Sequence, residues 1–93
     1  MRIEYVKGKK KGKIMLYALS TCIWCKKTKE LLSKLGVEYS YIFVDLLQDK
    51  DKDQVMNEVE KCNPRRSFPT VVINDDVCVV GYQEDQIKEA LDI

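Results

Sequence analysis

The chain contains no histidine, two prolines, four glycines and a single tryptophan among its 93 residues. Without histidine, only its four cysteines could supply the nitrogen or sulfur ligands of a zinc site. No apolar run approaches the roughly 20 residues needed to span a bilayer. The net charge of +1 leaves no excess of either sign for nucleic acid or a membrane surface. Residues 1–5 lack the apolar segment of a signal peptide. The expectation is a cytoplasmic protein in which thiols stay reduced. No repeat, low-complexity tract or linker interrupts the chain. Its length fits one domain, residues 1–93, and the 45% apolar content supports one core without staples.

What the chain does have is Cys22-Ile23-Trp24-Cys25, set between an apolar run and an amphipathic segment. Zinc sites share this spacing, but they need four ligands, usually as two close pairs. Cys62 and Cys78 form no close pair. Cys62 fits the apolar stripe of a helix and Cys78 a buried strand, so both are expected as core thiols.

Arg2–Val6 alternates like a strand, and Lys7–Lys13 carries five lysines and two glycines, the composition of a solvated loop tip. Lys13–Leu19 is nearly continuous in apolar residues, as in a strand buried on both faces. Beyond Ser20-Thr21-Cys22 the period becomes helical, with Trp24, Thr28, Leu31, Leu32 and Leu35 on one face and Gly36 as the stop. Tyr39–Asp45 reads as a second strand, and Gln48–Lys61 as a helix carrying Val55, Val59 and Cys62 along one side. Asn63-Pro64 ends that helix. Thr70–Ile73 and Val77–Val80 form a hairpin across Asn74-Asp75-Asp76, and Gln83–Leu91 closes as a helix. The β-α-β-α-β-β-α order implies a small mixed four-stranded sheet flanked by three helices. Residues 2–6 would serve as an extra N-terminal edge strand or fray.

Thiolates attack disulfides and thiols do not. A helix start offers oriented N–H groups and the positive dipole end to a sulfur at its N-cap. Cys22 occupies that position, where its sulfur can accept N–H bonds from Trp24 and Cys25, with Lys26 and Lys27 nearby. Cys25, one turn further in, is expected to be buried and to stay protonated longer. Cys22 therefore attacks and Cys25 resolves. A proline opening a strand, as Pro69 does, takes the cis form in only about one X–Pro bond in twenty. Opposite the cysteines, the backbone of Phe68 could pair with a substrate segment like an added strand.

From about Lys13 onward the chain resembles the glutaredoxin family of the thioredoxin superfold. The resemblance rests on Cys22-x-x-Cys25, Asp45, Ser67-Phe68-Pro69-Thr70 and Gly81-Tyr82-Gln83-Glu84-Asp85. It implies a thioredoxin-like α/β fold, a cis-proline at Pro69 beside the redox pair, and a substrate site using Thr21, Trp24, Phe68, Pro69, Gly81 and Tyr82. Glutathione-using members typically carry Cys-Pro-Tyr-Cys, Thr-Val-Pro, a Gly-Gly pair and a lysine upstream. Here those positions hold Cys-Ile-Trp-Cys, Ser-Phe-Pro, Gly-Tyr and Leu19-Ser20-Thr21. Tyr82 replaces the second glycine, against which glutathione's glutamyl end would lie.

The spacing through Thr28 and the Gly-aromatic pair are more similar to the ribonucleotide-reductase-associated redoxins. That likeness implies a protein-disulfide reductase and electron carrier without a resident cofactor or metal. A flavin thioredoxin reductase would supply its electrons, and ribonucleotide reductase is a typical client of the group. Glutathione-dependent exchange is the alternative within the same chemistry. Iron–sulfur carriage through Cys22 is the alternative outside it, opposed by the bulk of Ile23 and Trp24.

Overall fold

The computed structural model describes residues 2–93. Met1, where the segment read as lacking a signal sequence begins, lies outside them. The chain runs β1 (Glu4–Val6), β2 (Ile14–Ala18), α1 (Ile23–Lys34), β3 (Tyr39–Phe43), a 3₁₀ turn (Val44–Leu46), α2 (Asp49–Cys62), β4 (Thr70–Ile73), β5 (Val77–Val80) and α3 (Glu84–Ala90). The strands make one sheet in the order β1-β3-β2-β4-β5. No helix among the described residues is long and apolar enough to cross a membrane.

The sheet has five strands because Glu4–Val6, within the segment read as Arg2–Val6, joins its edge: β1 pairs antiparallel with β3, Glu4 opposite Tyr41. The Tyr5 hydroxyl reinforces that edge by donating to Glu38 at 2.6 Å. β2 and β3 run parallel, a pairing that needs a crossover, and α1 supplies it. The remaining neighbours, β2–β4 and β4–β5, are antiparallel.

Alternation along the strands sorts side chains onto two faces. Ile14, Leu16 and Ala18 of β2 join Val71, Ile73 and Val79 in a cluster with Leu31 and Leu32 of α1 and Ile87 of α3. The opposite face buries Ile42 and Val44 against Val55 and Val59 of α2, with Tyr17 partly covered there. β2 is therefore fully buried on one face and half-buried on the other. Each fully buried aliphatic side chain contributes about 1.5–3 kcal/mol. Tyr39 is buried within the first cluster, its hydroxyl donating to the Lys29 carbonyl at 3.3 Å and lying 3.0 Å from Ser33 Oγ.

The lysine-rich loop is anchored at Lys13, whose N–H donates to Asn74 Oδ1 at 2.9 Å and whose Nζ lies 3.1 Å from Asp75 Oδ2, and at Lys9 through backbone. Lys9 N–H donates to the Gly36 carbonyl at 2.8 Å, and Glu38 N–H donates to the Lys9 carbonyl at 2.9 Å. A Cβ at Gly8 would stand 2.7 Å from the Val37 carbonyl carbon, so this approach requires glycine.

Three expectations are corrected. Strand β3 stops at Phe43, because the chain coils into the 3₁₀ turn that holds Asp45. Trp24 is 53% exposed and leaves the buried face of α1, which runs through Cys25, Thr28, Leu31 and Leu32. One position is about 100° on a helix, so a stripe led by Cys25 turns Trp24 outward. Cys62 and Cys78 are not core thiols but a disulfide, with Cα atoms 5.8 Å apart. Cys62 is the last residue of α2, and Cys78 points away from the face on which Val79 is buried.

Candidate active site

Strand direction gathers the chemistry at one end of the sheet. Ala18 of β2 pairs with Phe43, and Tyr17 pairs with Thr70, the first residue of β4. Thr70 in turn faces Val80, the last residue of β5. The segment after β2 (Cys22), the segment before β4 (Pro69), the segment after β5 (Gly81-Tyr82) and Asp45 after β3 thus converge. The lysine loop, before β2, lies at the other end.

Cys22 is the N-cap of α1 in extended conformation, and its Sγ accepts the Cys25 backbone N–H at 3.1 Å. The bond comes from Cys25 and not from Trp24, as expected of a cap bonding the third residue onward. The turn ahead of it is set by Asp45, which accepts from Ser20 N–H at 2.8 Å and from Ser20 Oγ at 2.5 Å. Desolvation pushes the Asp45 carboxyl upward. Hydrogen bonds from Ser20 and from its own backbone, with the Lys52 charge, outweigh that and hold it below the usual carboxylate range.

Cys25 is 1% exposed and packs in the core cluster. Burial first, then its hydrogen bond to Cys22, pushes its thiol up to about 12, although the Leu19 backbone acts in the other direction. The two motif sulfurs are free thiols of unequal access, one half-buried at the helix end and one sealed behind it.

Two clefts flank the motif. One, of about 280 Å³, is lined by Trp24, Phe68, Pro69, Gly81 and Tyr82. The Phe68–Pro69 peptide bond is cis. The Pro69 carbonyl accepts Gly81 N–H at 2.8 Å, stitching the two walls together. Trp24 and Tyr82 lean on each other with ring centroids 5.8 Å apart, and Lys27 Nζ lies 5.3 Å from the Trp24 ring. Gly81 has φ of +82°, a conformation that favours glycine. The other groove, of about 360 Å³, contains Cys22 itself with Thr21, Ile23, Lys26, Lys29 and Phe43. Of the residues expected at the substrate site, five share the first cleft and Thr21 lies in the second.

Sequence reasoning missed Asn63, read only as a helix stop. It is 3% exposed, and its Nδ2 donates to Ser67 O at 3.1 Å, Ser67 Oγ at 3.0 Å and Thr70 Oγ1 at 3.1 Å. Its Oδ1 accepts Arg65 N–H at 3.2 Å. One amide thus shapes the loop that delivers Phe68-Pro69. The signal was a polar, turn-forming residue just after a helix and six residues before the proline. Ser20 was noticed only as a capping residue, although its partner Asp45 was among the family's marks.

The glutaredoxin family model matches residues 14–78. The chain belongs to the glutaredoxin family. The match runs from β2 to the start of β5, including both motif cysteines and Pro69. This glutaredoxin is 51% identical to Methanosarcina acetivorans methanoredoxin, with a TM-score of 0.90 over 92% of this chain and 90% of that one. It is 46% identical to the glutaredoxin of Methanosarcina mazei Go1, with a TM-score of 0.94 over 100% of this chain and 90% of that one. Rabbit (Oryctolagus cuniculus) glutaredoxin-1 is 30% identical over 87% of this chain and 77% of its own length. Family membership and the paired thiols make the protein a dithiol–disulfide oxidoreductase.

Proposed function

We propose that this glutaredoxin is a protein-disulfide reductase, with Cys22 as the attacking sulfur and Cys25 as the resolving one. The Cys22 thiolate attacks one sulfur of a client disulfide. The client S–S bond breaks, the Cys22–client mixed disulfide forms, and the first client thiolate leaves. Cys25 then gives up its proton and attacks Cys22 Sγ, forming the Cys22–Cys25 disulfide and expelling the second client thiolate. Two electrons pass from the motif to the client. The 3.1 Å contact between Cys22 Sγ and the Cys25 N–H fits this division of labour, since the third residue of α1 holds the sulfur of the N-cap close.

The observation that carries the client reading is the Trp24–Tyr82 pair over the Phe68–Pro69 cleft. An extended polypeptide can lay backbone along the segment before β4 and an apolar side chain against the two rings. The same Tyr82 ring stands where glutathione-using relatives would admit a glutamyl group, so the reading assigns glutathione no place as cofactor. The electron donor is then a flavin-dependent thioredoxin reductase or a similar enzyme. The clients are disulfide-bearing proteins, ribonucleotide reductase among the candidates, in the cytoplasm.

Trp24 reports the test. Its fluorescence in the oxidised protein is followed after adding glutathione, or thioredoxin reductase with NADPH. Rapid reduction by the flavoenzyme and none by glutathione is the expected result. Reduction by glutathione alone would overturn the choice of donor.

A further inference from the structure

A second pair of cysteines, outside the motif, encloses the segment that builds the client cleft. Cys62 ends α2, Cys78 sits in β5 opposite Val72, and their disulfide spans a sequence separation of 16 residues. Within that closed ring lie Asn63, its hydrogen-bonded loop, the cis Phe68–Pro69 bond and all of β4. Cys62 is bonded directly to Asn63 along the chain, so the cross-link ends one residue before the amide that shapes the loop. Cys78 is exposed and Cys62 half-buried, so a disulfide reagent can reach at least one sulfur. Cross-linking removes freedom from the enclosed chain, and the enclosed chain here is a wall of the cleft.

We propose that Cys62 and Cys78 form a second thiol–disulfide couple that acts as a redox switch on client binding, which rests on the reading of the Phe68–Pro69 cleft given above. In the oxidised form the ring is closed and the cleft wall is held for the client. In the reduced form the ring is open and the loop is held by hydrogen bonds without the covalent link, chiefly those of Asn63. Oxidation is by a disulfide compound. The Cys78 thiolate attacks it, one sulfur of the compound leaves as a thiol, and a mixed disulfide forms on Cys78. The Cys62 thiolate then attacks Cys78 Sγ, the internal disulfide forms and the second thiol leaves. The compound gains the two electrons and two protons that the cysteines lose, and a dithiol reverses both steps. A pair of this kind in a reducing compartment is regulatory in character and not a permanent staple.

The test removes the motif sulfurs, so that only the second pair can react. Full-length Cys22→Ser/Cys25→Ser protein is reduced, freed of reductant, and treated with hydroxyethyl disulfide. The proposal expects both remaining thiols to disappear in a monomer whose mass falls by two hydrogens. Persistent hydroxyethylthiol adducts, cross-linked dimers or unreacted thiols would overturn it. The oxidised protein is then titrated with insulin, a disulfide-linked protein, using Trp24 fluorescence. A Cys62→Ser/Cys78→Ser version in the same background is titrated alongside. The open version should bind at least about fivefold more weakly, the lower end of usual site-to-site coupling. Equal binding by both versions overturns the switch and leaves the cleft reading standing. Binding by neither removes the cleft reading and the switch with it, a failure distinguished by the two thiols having disappeared as expected.

Discussion

The two cysteine pairs of this chain are opposites in construction. Cys22 and Cys25 are neighbours by sequence, and the start of a helix fixes how they face each other, so their geometry is local. Cys62 and Cys78 are far apart in sequence and are brought together only by tertiary structure, which sets the end of α2 against β5. The first pair is a pair of free thiols, one accessible and one buried, poised to change partners. The second is joined in a disulfide that closes a ring around the cleft wall. A local pair can be set up for turnover because the helix carries its geometry. A pair made by tertiary structure is suited to reporting on, and holding, that structure.

The comparison breaks most sharply at Cys22. Cys22→Ser should reduce insulin reduction to the uncatalysed rate while the fold persists, whereas Cys62→Ser/Cys78→Ser should retain turnover of a small disulfide such as hydroxyethyl disulfide. Removing the second pair should instead lower the stability of the oxidised protein by about 3 kcal/mol, the entropy of a closed ring of this size. Urea unfolding of the two proteins side by side gives that difference. Asn63→Ala strips four hydrogen bonds from the loop and should cost about 2 kcal/mol. It should also raise KM for insulin more than it lowers kcat, because it acts on the wall of the cleft and not on the sulfurs.

The last effect is one of pH. The Cys25 thiol is held up at about 12, against an ordinary value of 9.0. On raising pH, the unfolded chain therefore releases this proton first, and the folded protein keeps it until about 12. Folding stability contributed by Cys25 is full below pH 9 and declines as pH rises from there through about 12. Reduced wild-type protein should lose more stability over that interval than Cys25→Ser, measured by urea unfolding at each pH. Equal losses would show that the Cys25 environment does not disfavour its charge.

What could be read from the sequence followed the same division between local and tertiary. Strand and helix order, the N-cap at Cys22, the burial of Cys25 and the stop at Gly36 all depend on periods and neighbours, and the structure agrees with each. Trp24 was misplaced because its apolar character fitted a helical stripe whose true leader is Cys25, one position along. Cys62 and Cys78 were misread for a different reason. Burial patterns describe each residue alone, and no period records that the end of α2 lies against β5. The Asn63 network was hidden likewise, since its partners Ser67 and Thr70 depend on a loop whose path the chain order does not specify. The pattern of β1 does not decide between an edge strand and a frayed end, because a strand three residues long carries little pattern of its own.

The central claim is that Cys22 attacks and Cys25 resolves, with the second pair outside the cycle. The most direct test is to trap the first step in Cys25→Ser. Incubation with insulin, acid quenching and peptide mass mapping would locate the mixed disulfide. The account predicts a stable adduct on Cys22 in Cys25→Ser and none on Cys25 in Cys22→Ser. An adduct carried by Cys62 or Cys78, or one that forms on Cys25 when Cys22 is absent, would contradict it.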